Sequence, residues 1–141
     1  MTATPSRQTL DQLRAAHAWQ AAESAQRSLG EKAKKEFGTP AKKLGPRILT
    51  AGLGPAVQFL VAKSEGPKLA EALQAWLLET GPTKTVRRSR PPQDSVAGSA
   101  LIADIVNGDS DRLRWLTAEA LSYLAWLARF CEARGLTEDE A

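Results

Sequence analysis

Apolar residues recur along the chain at intervals of three and four, and no useful run alternates apolar with polar positions, so the pattern predicts an all-α fold. Ala15, Ala18, Trp19, Ala22, Ala25 and Leu29 form the first such stripe and predict a helix over about 9–29. Thr9, with Gln12 three residues on, has the form of a capping box, in which each side chain satisfies the other residue's orphan amide. Gly30 is read as the stop of that helix. A short basic helix follows over 31–37, closed by Gly38. Thr39-Pro40 then opens another, because Thr is a good cap and Pro at the first helical position loses only a donor that has no partner. Gly45-Pro46 should break or kink this helix. It resumes through Ile48 and Leu49 and ends at Gly52. Gly54-Pro55 starts the next one, with Val57, Leu60 and Val61 apolar beside Phe59.

After a turn at 64–66, Pro67 begins a helix with Leu69, Leu73, Trp76 and Leu77 on one face, ended by Gly81. Residues 81–99 break the pattern. They read GPTKTVRRSRPPQDSVAGS, with almost nothing to bury, and a loop this long inside a compact domain tends to be functional or disordered. A short helix is predicted over 100–106. A final one begins at Asp109 or Ser110, runs to about 134, bends near Thr117 and is ended by Gly135. Leu113, Leu116, Ala120, Leu124, Leu127 and Cys131 form its main stripe, and an aromatic row of Trp115, Tyr123, Trp126 and Phe130 is offset from it. A helix apolar over more than one stripe is either central or covered by a partner. The row is read chiefly as core, with some of it available as interface.

The chain has 141 residues, the length of one ordinary domain, and is read as a single helical domain over 1–141 with a flexible basic loop at 81–99 and frayed termini. No apolar run spans a membrane and no secretory signal is visible, which leads to the expectation of a cytoplasmic protein with no membrane partner. One cysteine, Cys131, excludes an internal disulfide framework. With His17 as the single histidine, a zinc site lacks ligands, so no metal or cofactor is expected.

Charge changes the picture more. Residues 1–90 carry 15 Lys and Arg against 7 Asp and Glu, whereas residues 91–141 carry 4 against 9. Lys32, Lys34, Lys35, Lys42, Lys43 and Arg47 crowd into 16 residues opposed only by Glu36. Such a ridge can grip a phosphate backbone without reading sequence, or it can be merely a solvated face. Phe37 is the one nearby candidate for base stacking, so binding should be electrostatic and sequence-tolerant. Lys84, Arg87, Arg88 and Arg90 make the long loop either a solvated connection or an arm that orders on phosphates.

No catalytic constellation emerges. His17 follows Leu10 and Leu13 on one side of the first helix and reads as structural. Cys131 falls on an apolar stripe and should be buried and inert. Asp104, Asp109 and Asp111 form the only loose acidic cluster, and two of them sit where helix caps are wanted.

Two stretches resemble a known family. LGPRILTAGLGPAVQFLVAKS, residues 44–64, is similar to the signature region of Cmr5, the small subunit of type III-B CRISPR–Cas RNA-targeting complexes, through Pro46, Ile48-Leu49, Gly52-Leu53, Phe59-Leu60 and Lys63-Ser64. DRLRWLTAEALSYLAWLARFCEARG, residues 111–135, resembles the family's last helix through Thr117, Glu119-Ala120-Leu121, Tyr123-Leu124, Trp126-Leu127, Arg129-Phe130 and Glu132-Ala133. Ala51 departs from it, standing where a polar residue such as Asn is expected.

The resemblance implies a non-enzymatic, all-helical small subunit. It would stack in several copies beside the backbone subunits of the Cmr complex, with the large subunit a further partner, and hold the guide and target RNA along a basic surface. Charge and position select Lys42, Lys43 and Arg47 as RNA contacts, with Lys34, Lys35, Arg87 and Arg88 next. Three other readings stay open: the small subunit of another CRISPR ribonucleoprotein, a helical protein–protein adaptor without RNA contact, and a nuclease built on the Asp cluster.

Overall fold

A computed structural model describes residues 7–62, 66–84 and 97–137. Helix α1, Leu10–Ser28, opens with the predicted reciprocal cap: the Gln12 amide donates to Thr9 Oγ1 at 3.1 Å and the Thr9 amide to Gln12 Oε1 at 2.8 Å. It ends at Leu29. Gly30, expected as its stop, is instead the N-cap of the next helix.

Helix α2, Glu31–Ala51, is one element of 21 residues. The expected stop at Gly38, the fresh start at Thr39-Pro40 and the break at Gly45-Pro46 do not occur. Packing overrides the local signal. Phe37, Ala41, Leu44 and Ile48 share one buried stripe only if the helix runs unbroken. Each internal proline costs roughly 3 kcal/mol of helix stability, and fully burying each large side chain of the stripe contributes about 1.5–3 kcal/mol. Gly38 has a tertiary role: a Cβ there would fall on the carbonyl of Leu136, which packs across the helix. Gly52 ends α2 as expected, at φ +93°, a conformation costly to any residue with a Cβ.

Helix α3, Leu53–Ala62, starts one residue before the expected Gly-Pro, and α4, Pro67–Gln74, carries Pro67 in its first turn. The chain continues through a wider, π-helical turn, Ala75–Thr80, closed by the Gly81 amide donating to the Trp76 carbonyl five residues back at 2.7 Å. Three successive side chains, Trp76, Leu77 and Leu78, are buried there. Helix α5 is Ser99–Asn107. Helix α6, Ser110–Ala133, is capped by Asp109, which accepts from the Arg112 amide at 2.8 Å, and runs on without interruption past Thr117.

Among the described residues all six helices contribute to one hydrophobic core, and no strand is present. Helix α6 packs along α1 and α2, while α3 lies between α2, α4 and α5. The aromatic row of α6 divides. Tyr123 is buried and stacked on Trp76, with ring centroids 5.7 Å apart. Trp126 and Phe130 are half-buried, and Phe130 meets the edge of Trp19 on α1. Trp115 is 66% exposed and Leu113 is exposed as well, so neither is core.

Behind the Tyr123–Trp76 stack, Glu119 accepts from Arg14 Nη2 at 2.7 Å and from Trp76 Nε1 at 2.9 Å. That carboxylate raises the Arg14 pKa and keeps the guanidinium charged. The first residues of the long loop are more packed than the sequence suggested. Thr83 is buried and its hydroxyl donates to the Leu77 carbonyl at 2.8 Å. Arg87, Arg88 and Arg90 lie outside the described residues. No helix among the described residues is long and apolar enough to cross a membrane.

Candidate nucleic-acid interface

An unbroken α2 decides where the cations point. Residues 32, 35, 39, 43 and 47 fall at intervals of three and four, so Lys32, Lys35, Lys43 and Arg47 share the face opposite the Phe37–Ile48 stripe. A break at Pro46 would have turned Arg47 away from Lys43. This face forms one wall of a cavity of about 460 Å³, lined also by Glu36, Thr39 and Pro40 of α2, by Phe59 and Leu60 of α3, and by Gly66 at the foot of α4. The Arg47 guanidinium carbon stands 4.1 Å from the centroid of the Phe59 ring. Among the described residues no carboxylate forms an ion pair within 4.0 Å of Lys32, Lys35, Lys43 or Arg47, although Glu36 contributes to the lining. Among the described residues, four cations and a single acid around one concavity give a local positive field, which reaches over a screening length of ~8 Å at physiological ionic strength.

The other expected contacts are placed differently. Lys34 is partly covered and its ammonium lies 3.3 Å from Glu31. Lys42 projects toward α6, 3.8 Å from Glu132, and borders a shallow apolar groove with Pro46, Leu49 and Leu121. The structure therefore brings together Lys35, Lys43 and Arg47 from the expected set, adds Lys32, and leaves Lys34 and Lys42 out of the cavity lining. Phe37, the expected stacking residue, is buried in the core. The aromatic ring that lines the cavity is Phe59, and the sequence carried a signal for it. Leu53, Ala56, Val57 and Leu60 define the buried stripe of α3, and Phe59 is a large apolar side chain beside that stripe and 42% exposed.

The residues that resembled reaction chemistry are engaged elsewhere. His17 is half-buried, its Nδ1 2.8 Å from the Tyr123 hydroxyl and its ring against Trp76. Burial lowers its pKa, and the charge of Glu79 opposes that shift. Asp104 is held by Arg112 at 2.9 Å, Asp109 caps α6, and Asp111 pairs with Arg114 at 2.6 Å. These acids do not converge, and no group of His, Cys, Asp and Glu suited to a metal ion occurs among the described residues. Cys131 is buried, and burial pushes its thiol pKa up to about 12.

Among the described residues, a six-helix bundle with a cationic cavity on one flank places the chain among small all-α proteins. The family model described as CRISPR-associated protein (Cas_Cmr5) matches residues 10–134, and the chain belongs to the Cmr5 family. It is thereby a small subunit of the CRISPR Cmr complex. The crystal structure of a CRISPR-associated Cmr5 family protein from Thermus thermophilus has the same fold, with a TM-score of 0.68 and 21% sequence identity over 90% of this chain and 97% of that one. No curated protein matches the chain in sequence.

Proposed function

We propose that this chain is a non-catalytic subunit of a type III-B RNA-targeting complex in the cytoplasm, where further copies of it stack beside the backbone subunits. In this reading it holds guide and target RNA against the cationic face of α2. The observation that carries the RNA contact is the convergence of Lys32, Lys35, Lys43 and Arg47 on one cavity. Long basic side chains there would reach consecutive phosphates and release counterions, which supplies affinity without sequence preference.

The experiment is binding of single-stranded RNA by the full chain, alone and in the assembled complex, across a range of salt concentrations. Affinity should fall with a slope on log salt of about −0.7 for each phosphate neutralised. Lys35→Glu with Lys43→Glu should flatten that slope, and Lys34→Glu, on another face, should change it least. No RNA contact in either setting would leave a helical adaptor acting only through protein surfaces.

A further inference from the structure

Phosphate contact does not account for one part of the cavity. Phe59 is a large apolar ring left 42% exposed on the wall of a cationic concavity, with a planar guanidinium 4.1 Å from its centroid. A phosphate itself makes no use of an aryl group, which can serve such a surface only by holding Arg47. Exposing that ring also leaves apolar area in water that burial would remove. The Arg47 side chain is held over its face, half-covered, so two flat groups from α2 and α3 are already ordered one over the other. Aromatic rings and arginine planes are the groups on which unpaired bases stack, and the interaction is tolerant of sequence because every base has a π face.

We propose that Arg47 and Phe59 form a base-stacking subsite for single-stranded RNA. One unpaired nucleobase extends that stack, and the phosphates flanking the nucleotide fall to Lys35 and Lys43 on the same wall. The volume of about 460 Å³ lies within the range of ~300–1,000 Å³ typical of sites that enclose a small organic group. This assignment rests on the reading of α2 as an RNA-binding face and adds a contact to the base itself.

Two oligomers separate that contact from the phosphate contacts: a single-stranded RNA, and a ribose-phosphate strand of equal length that lacks its bases. Phe59→Leu should weaken binding of the RNA about tenfold, leave the baseless strand unaffected and keep the salt slope of the unaltered protein. Phe59→Tyr should restore affinity. Arg47→Lys keeps the charge but not the plane, so it should also weaken the RNA more than the baseless strand. Equal affinity of Phe59→Leu and the unaltered protein for the RNA overturns the subsite, while a normal salt slope leaves the phosphate reading intact. Equal loss toward both oligomers also overturns it and assigns Phe59 a merely structural part. Absence of RNA binding by the unaltered protein removes both readings together.

Discussion

Arg14 and Glu119 stand 105 positions apart in the chain and meet as a two-pronged ion pair, their side chains only 12% and 7% exposed. The pair joins α1 to α6, and the Trp76 indole donates to the same carboxylate, tying in the π-helical turn. Glu119→Ala leaves the Trp76 N–H unpaired and the Arg14 guanidinium to Asp11 alone, 2.6 Å away, and should destabilise the fold by about 1–3 kcal/mol. Arg14→Met combined with Glu119→Leu should cost less than Glu119→Ala alone. It should still not reach the unaltered stability, because the Trp76 N–H is left unpaired. Urea titrations of the three variants measure both differences.

The two interior glycines of α2 should both resist alanine, for different reasons. At Gly45 a Cβ meets nothing within 4 Å beyond its chain neighbours, but Pro46 follows, and the proline ring disfavours helical backbone for a preceding residue that carries a Cβ, so Gly45→Ala should lose the gain expected from helix propensity and change stability little. At Gly38 the same atom collides with the Leu136 backbone, which cannot swing aside like a flexible side chain, so Gly38→Ala should destabilise by about 1–3 kcal/mol. Thermal midpoints measure both changes.

His17 makes stability depend on pH in a definite direction. Its folded pKa lies below the ordinary value of 6.5, chiefly because burial disfavours the imidazolium. Over the interval between the two values the unfolded chain binds more protons, so stability falls as pH drops from about 7 through 6.5 and levels off once the folded state is protonated as well. His17→Gln should abolish this component below about pH 7. The carboxylate contribution at lower pH, where Asp11 is protonated and loses its bonds to Trp126 and Arg14, should remain. Melting curves at stepped pH provide the comparison.

Cys131 should be silent toward alkylating reagents in the native protein near pH 8, because burial both hides the thiol and holds its pKa at about 12. In denaturant it should react at the rate of an ordinary thiol. Mass spectrometry after timed iodoacetamide treatment distinguishes the two states.

Legibility in the sequence followed the range of the interaction responsible. The Thr9–Gln12 box, the Gly52 stop and the Asp109 cap depend on neighbours three or four residues away, and each was readable. The continuity of α2 was not, because Pro40 and Pro46 announce interruptions and the force that overrides them comes from residues on other helices. The same distance hid Phe59. Nothing local pairs it with Arg47, and the chosen aromatic, Phe37, was nearer in sequence but belonged to the core stripe. Lys34 and Lys42 looked equivalent to Lys35 and Lys43 in a list of cations; what separates them is the acid each meets, Glu31 one turn back and Glu132 on α6.

Helix α2 therefore depends on its surroundings for its own shape. Pro40 and Pro46 withhold amides from the carbonyls of Glu36 and Lys42, and the rod survives because the bundle grips its apolar side. A synthetic peptide of residues 31–51 should be largely unstructured in water, its lysines in no fixed order. The spacing of positive charge is in that sense manufactured by tertiary assembly, and it would disappear with the first loosening of the bundle even if every cation were still present.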